Sequence, residues 1–228
     1  MSLKINNWKK IILGVVWLIV AGIFIAGFIR VATFEAKYYS EKEGSERVVV
    51  EEPTPAPEVD ETEITEEQVI EYTVALDRPR YLTIEKLGIK NARIIAVGLT
   101  TNGELGTPNN IFDAGWYDAS GKPGQGGTLL LDGHNGGPTK IGIFKYLPSL
   151  DKGDKIIVER GDGTIFNYEV VENTTVSLDE ADGYMAVALR TPVAGKESLS
   201  IITCTGEWSQ ERSTYLSRQF ARAILIEE

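Results

Sequence analysis

The stretch KIIVERGDGTIFNYEVV, residues 155–171, indicates the fold class of this chain. Two runs rich in Val, Ile, Tyr and Phe, Lys155–Arg160 and Thr164–Val171, flank the pair Asp162-Gly163, which favours the tight turn of a β-hairpin. Further short runs of this kind, each bounded by turn residues, are predicted as strands. They are Tyr81–Ile84, Ala92–Val97, Thr128–Asp132, Leu199–Thr203 and Phe220–Ile226. Many short strands with little helix predict an all-β barrel or sandwich.

The composition excludes several classes of protein. The chain has 228 residues, and 23 basic against 33 acidic side chains give a net charge of −10. This argues against a nucleic-acid-binding protein, which needs a basic face. With one Cys and one His, the chain cannot form an intrachain disulfide or a zinc site built mainly from those ligands. We therefore expect neither a metal site nor a cofactor.

The N-terminal region has the pattern of a membrane anchor. Residues 11–29, IILGVVWLIVAGIFIAGFI, contain no charge, and as a helix they would span about 28 Å, close to the thickness of the hydrocarbon core of a bilayer. The run is longer than the apolar part of a cleaved signal peptide, and no clear cleavage site follows, so a retained anchor is favoured over cleavage. Lys4, Lys9 and Lys10 precede it. The positive-inside bias then predicts a cytoplasmic N-terminus, residues 1–10, and an extracellular remainder.

Residues 30–71 are expected to form an acidic tether that contains prolines. Most of the net charge lies here, because residues 41–71 carry −10 whereas residues 72–228 carry only −4. A segment of this composition cannot bury enough apolar surface to fold alone, although residues 61–72 are compatible with a short amphipathic helix. The tether either extends the reach of the folded domain or is a plain spacer, and the sequence leaves both open. The folded domain is expected over residues 72–228.

The only His and the only Cys each follow an apolar strand. His134 comes after TLLLDG and before NGG, and Cys204 comes after LSIIT and before Thr-Gly. Strand ends can present a side chain to a cleft, and glycines leave room there for a substrate backbone. An imidazole is well suited to assist the ionisation of a thiol. From the residues alone, a catalytic pair competes with a buried structural Cys and an unrelated structural His.

The surroundings of these two residues resemble the sortase family of cysteine transpeptidases over residues 78–228. Thr203-Cys204 is similar to the Thr-Cys motif of the family, and Gly133-His134 is similar to its Gly-His after an upstream strand. Residues 113–117 also look like the family. The resemblance implies a sortase-like β-barrel with a few short helices, nearest to the single-Cys class F branch.

The resemblance also implies a functional Arg on the strand after the Cys. In the family this Arg opens the final strand, and Arg218, with Ala223 five residues on, fits that pattern better than Arg222 does. Gln219 departs from the pattern, which has an apolar residue there. Arg222 has the same strand parity as Arg218 and is expected to face the same side. Arg212 lies among polar residues and is interpreted as part of a loop.

The mechanism implied by the resemblance is acyl transfer. The Cys204 thiolate would attack a carbonyl in an LPXTG-like sorting signal, His134 would protonate the leaving amine, and Arg218 would hydrogen-bond the substrate or the oxyanion. The thioester would then react with an amine acceptor of the cell wall or of a pilin, or slowly with water. Since only about 1% of Cys–His pairs with unperturbed pKa values are thiolate–imidazolium, we expect Arg218 to lower the pKa of the thiol. The competing hypothesis is a membrane-anchored binding or assembly module without turnover.

Two polar residues flank His134. Asp132 shares its strand parity and could face the same cleft, and Asn135 follows it directly. Both are also typical of turns, as Asp-Gly and Asn-Gly. Turn formation is the preferred interpretation.

Overall fold

The structure is a computed structural model that describes residues 59–226. The predicted membrane anchor, residues 11–29, and the cytoplasmic residues 1–10 lie outside the described residues, as does the tether up to residue 58. None of the helices within 59–226 combines the length and the apolar character that crossing a bilayer requires.

The described part of the chain forms one closed barrel of eight strands, in the spatial order β1-β2-β3-β4-β7-β8-β6-β5. The strands are β1 (Pro79–Ile84), β2 (Ile89–Val97), β3 (Ala114–Tyr117), β4 (Thr128–Asp132), β5 (Lys155–Arg160), β6 (Ile165–Ser177), β7 (Ser198–Ser209) and β8 (Thr214–Leu225). The pairs β2–β3 and β4–β7 are parallel. The prediction of an all-β fold is confirmed, and of the two predicted architectures, barrel and sandwich, the structure has the barrel.

The local predictions agree with this barrel in most places. Strands β4 and β5 have the predicted bounds, and the Asp162-Gly163 turn joins β5 to β6 with Gly163 at a φ of 84°. Strand β3 was not predicted as a strand, because it has four residues and one of them is the weak strand former Gly115.

Two α-helices accompany the barrel in the described residues, α1 (Glu66–Glu71) and α2 (Leu178–Ala188). Helix α2 is not among the predicted elements, although the sequence carries a signal for it. Ser177 caps its N-terminus, and the Ser177 backbone amide donates to the Glu180 carboxylate at 3.2 Å. This Ser-x-x-Glu capping box is a sequence pattern that predicts a helix start.

Side-chain alternation separates the barrel interior from an outer face under α2. Leu131, Ile201 and Ala221, at odd positions of β4, β7 and β8, are buried inside the barrel. The even-numbered Ile202 and Phe220 point outward and pack in a second cluster that includes residues of α2. His134, Cys204 and Arg218 are also even-numbered and continue this outer face.

Gln219 has a structural role that explains its departure from the apolar pattern. It is buried, and its side-chain oxygen accepts a hydrogen bond from the Thr175 hydroxyl. Its amide donates to Asn173 Oδ1 at 2.6 Å, and the Asn173 amide in turn donates to the Leu150 carbonyl at 2.7 Å. This polar network ties β6 and β8 to the turn before β5, so the buried amide has partners.

The segment before the barrel is bonded to it. The Asp60 amide donates to the Asn109 carbonyl at 2.9 Å, and the Ile111 amide donates to the Asp60 carbonyl at 3.0 Å. The Tyr72 hydroxyl donates to a backbone carbonyl of β2 at 2.6 Å. The boundary expected at residue 72 therefore falls within a segment that contacts the barrel. Composition did not reveal this, because the contacts are polar and need little apolar surface.

Candidate active site

His134, Cys204 and Arg218 line one groove on the outer face of the barrel, with a cavity volume of about 1470 Å³. Strand pairing brings them there. Strands β4 and β7 run parallel with Asp132 opposite Ile202, so the chain leaving β4 passes beside Cys204. Arg218 of β8 lies directly opposite Cys204 of β7. The other walls are the loop of residues 99–107, α2 and the β7–β8 hairpin.

The Cys204 thiol is partly buried in this groove. Burial raises the pKa of the Cys204 thiol, Arg218 lowers it, and Asp132 raises it further, so that the pKa lies above its ordinary value. Arg218 thus lowers the pKa of the Cys204 thiol as expected, but burial outweighs its effect. Loss of hydration disfavours the thiolate more than one nearby cation favours it.

His134 is held by a backbone carbonyl. Its Nε2 lies 2.7 Å from the Pro108 oxygen, and since a carbonyl only accepts, Nε2 must carry a hydrogen. The other ring nitrogen, Nδ1, is then the atom that can take up and release a proton.

The Thr of the Thr-Cys motif links the two motifs physically. The Thr203 hydroxyl is buried and donates to the Gly133 carbonyl at 2.8 Å. The His134 carbonyl accepts from the Phe144 amide at 3.0 Å. The first bond connects the residue before Cys204 to the residue before His134, and the second holds the His134 backbone, so the relative motion of the two functional groups is restricted.

The two candidate arginines have different surroundings. Arg218 donates to the carbonyls of Tyr215 and Ser217 at 2.9 and 3.1 Å and to the Thr214 hydroxyl at 3.2 Å. No acidic side chain within residues 59–226 forms an ion pair with it, so its charge acts on the groove.

Arg222 is buried and lies outside the groove lining. It pairs with Glu172 at 2.6 Å and donates to the carbonyls of Val187 and Arg190 at 3.1 and 2.9 Å, at the C-terminal end of α2. It shares the outer face with Arg218, as strand parity predicts, but it binds the helix that covers that face. The structure thus brings Arg218, and not Arg222, next to Cys204.

Asp132 belongs to the groove, and the turn interpretation for it is wrong. It is the last residue of β4 and is 6% exposed. Its Oδ2 accepts from the Thr107 hydroxyl at 2.7 Å, while Oδ1 is buried without a hydrogen-bond partner in the described structure. Burial raises the pKa of Asp132 to about 7, against the effect of the Thr107 bond. Asn135 is also buried and lines the groove, and its carbonyl accepts from the Gly142 amide at 2.9 Å, across the loop that follows His134.

The segment before the barrel supports the loop that follows His134, a contact that no local sequence pattern predicts. The Glu61 carboxylate accepts from the amides of Thr139 and Lys140 at 2.8 and 2.9 Å and from the Thr139 hydroxyl. These bonds lower the pKa of Glu61, so the contact is formed at neutral pH.

Comparison with known proteins identifies the class to which this barrel and groove belong. Residues 82–225 match the family model of the sortase domain. The chain therefore belongs to the sortase family, and it is a sortase-type cysteine transpeptidase.

Several solved structures are similar to this chain. A Clostridium perfringens sortase D5 transpeptidase shares 24% identity over 72% of this chain and 90% of its own, with a TM-score of 0.46. A pilus-related sortase C of group B Streptococcus shares 21% sequence identity over 74% of this chain and 76% of its own, with a TM-score of 0.47. Listeria monocytogenes sortase A shares 19% sequence identity over 67% of this chain and 88% of its own, with a TM-score of 0.46. A search of curated proteins finds no match.

Proposed function

We propose that this sortase cleaves a sorting-signal peptide with Cys204 as the nucleophile, His134 as the acid and base, and Arg218 as the stabilising cation. The observation that carries the proposal is their arrangement. Arg218 lies opposite Cys204 in the β7–β8 register, and both line a groove with the lone His. A thiol, an imidazole and a guanidinium without an acidic partner among residues 59–226 are groups suited to acyl transfer through a thioester.

The reaction begins with proton transfer from Cys204 to His134. Because burial holds the resting thiol protonated, the reactive ion pair is a minor state. Arg218 favours the thiolate in that state, and the Pro108 carbonyl holds the imidazole ring through Nε2, so that Nδ1 receives the proton. The thiolate attacks the substrate carbonyl, and the developing oxyanion is hydrogen-bonded by Arg218.

The remaining steps exchange one amine for another. The C–N bond breaks as His134 gives the Nδ1 proton to the leaving amine, which leaves an acyl thioester on Cys204. An acceptor amine then attacks the thioester, His134 takes its proton, and Cys204 leaves as the thiolate. Water in place of the amine gives slow hydrolysis.

The substrate proposed is an LPXTG-like sorting signal at the end of a protein. Apolar side chains line part of the groove, among them Leu105, Leu130 and Ile202, which suits a peptide with an apolar residue near the cleaved bond. The acceptor proposed is an amine of the cell wall or of a pilin subunit, so the enzyme would anchor proteins to the wall or to each other. The class F assignment stays a prediction.

The location proposed is the outer side of the cell membrane. Residues 11–29 would span the bilayer once, with residues 1–10 in the cytoplasm and the tether carrying the catalytic domain outside. This part of the proposal is supported by the uncharged 19-residue run and the lysines before it.

The test is the Cys204→Ala variant of the full chain, incubated with a library of sorting-signal peptides. Mass spectrometry of the products, with and without an added amine, should detect hydrolysis and amine adducts for the wild type and neither for the variant. Since Cys204 is the only Cys, alkylation of the wild type reports on this thiol alone. Cleavage retained by the variant would refute the nucleophile. A wild type that binds peptides without any turnover would favour the binding module.

A further inference from the structure

Asp132 is the one carboxyl of the groove lining that is deeply buried. Its neighbours are the Thr107 hydroxyl, which bonds Oδ2, and the backbone of Gly115, whose missing side chain leaves the space that Oδ1 occupies. The mechanism above does not use this carboxyl, although it lies two residues before His134 and beside Cys204.

The surroundings of Asp132 favour a neutral acid. A carboxylate needs several donors when it is removed from water, and Asp132 receives one, while Oδ1 has no partner in the described residues. A protonated Asp132 can instead donate through Oδ2 to Thr107, which leaves only a weak acceptor unpaired. No ion pair with Asp132 occurs among residues 59–226.

The charge on Asp132 bears directly on Cys204. An ionised Asp132 raises the pKa of the thiol, whereas Arg218 lowers it. Two potential anions therefore lie in one groove, and only the thiolate is stabilised by Arg218. We propose that Asp132 is a positioning residue that sets the reactivity of Cys204: as a neutral acid it does not oppose the thiolate, and as a carboxylate it suppresses thiolate formation. This inference rests on the proposed role of Cys204.

Other charged groups face the same space. His134 follows β4, Arg218 comes from β8, and Arg212 lies on the β7–β8 hairpin. Glu104 of the loop of residues 99–107 and Asp179 and Asp182 of α2 also line the groove and are exposed, where water screens them. Asp179 in addition pairs with Arg212 at 2.7 Å. Only Asp132 combines burial with the absence of a cationic partner, so its charge is the least screened.

The consequence is a pH dependence with a defined sign. Below the pKa of Asp132, which lies at about 7, the side chain is neutral and has no effect on the thiolate. Above it, the carboxylate opposes the thiolate, and a like charge of this kind raises a neighbouring pKa by about one unit. The Asp132→Asn variant keeps the shape and stays neutral throughout, so it should differ from the wild type only above that pH.

The experiment measures the rate constant for alkylation of Cys204 by iodoacetamide from pH 5 to 9. It uses the full chain in detergent and needs no peptide substrate, so its outcome is separate from that of the cleavage assay. The alkylation rate constant of Asp132→Asn, divided by that of the wild type, should be about one at pH 5 and should rise to about ten at pH 8.5. A ratio that does not change with pH would overturn the proposal, because a merely structural effect of the substitution carries no such profile.

Two further variants complete the design. Asp118→Asn removes an exposed carboxylate after β3, outside the groove, and its ratio should stay at one throughout. Thr107→Val removes the hydrogen bond that lowers the pKa of Asp132. Asp132 should then ionise at a higher pH, and the pH at which its carboxylate begins to slow alkylation of Cys204 should move upward. If Asp132→Asn does not fold, an unchanged profile in Thr107→Val would still refute the proposal.

Discussion

Replacing Arg222 by Met should destabilise the barrel and leave peptide cleavage intact. Replacing Arg218 by Met should slow cleavage strongly and change the stability little. The sequence places both arginines on one strand with the same parity, so this pair of variants separates the two interpretations of the final strand. Arg222 bonds Glu172 and the end of α2, and Arg218 faces the groove opposite Cys204.

The magnitude for Arg222→Met follows from its three contacts. Its side chain is 7% exposed and that of Glu172 is 35% exposed. Removing one partner of a fully buried ion pair costs about 3–5 kcal/mol, and because water can reach Glu172, we expect the lower end, about 3 kcal/mol. For a domain of this size that corresponds to a fall in melting temperature of roughly 6–12 °C. Arg218→Met should cost about 1 kcal/mol or less, since its side chain is only half-buried.

The assay compares thermal unfolding, followed by near-UV circular dichroism, with peptide cleavage at a temperature where both variants are folded. Arg218→Met should lose about 100- to 1000-fold in kcat, as expected when one donor to an oxyanion is removed. Arg222→Met should keep a kcat near that of the wild type. The reasoning is refuted if Arg222→Met melts with the wild type and loses activity, or if Arg218→Met turns over normally.

Two other variants probe the supports of the groove. In Gly115→Ala the new methyl group would collide with the Asp132 carboxyl and lie 2.8 Å from Pro108 Cδ, so we expect a loss of about 1–3 kcal/mol in stability together with slower cleavage. Gly98→Ala, where the same atom meets open space, is the control in the melting and cleavage assays and should match the wild type. Glu61→Ala removes the bonds to the loop after the proposed catalytic histidine and should speed amide hydrogen exchange in that loop and slow cleavage several-fold. Unchanged exchange would contradict the support assigned to Glu61.

Local patterns were enough where local forces determine the structure. Strands β4 and β5 were predicted with their bounds because turn residues flank runs of β-formers, and the Asp162-Gly163 turn needs only its own backbone. Strand β3 could not be predicted from its composition, because it is a strand through its pairing with β2 and β4. Helix α2 was missed although its capping box was present in the sequence.

The environment of each candidate group depended on long-range contacts. Thr107 and Pro108 approach Asp132 and His134 from a loop more than twenty residues earlier, and no spacing rule connects them. Burial by that loop made Asp132 a candidate for control of the thiol instead of a turn residue. Burial likewise raised the pKa of Cys204 against the sequence-based expectation.

The sequence by itself determined the class of fold, the presence of one thiol and one imidazole, and their positions after two apolar strands, because strand periodicity and residue uniqueness are local properties. The tertiary structure decided which groups meet. The parallel pairing of β4 with β7 sets His134 beside Cys204, the β7–β8 register sets Arg218 opposite it, and α2 engages Arg222. These outcomes depend on contacts between residues far apart in the chain, whose desolvation and charge cannot be assigned before the chain has folded.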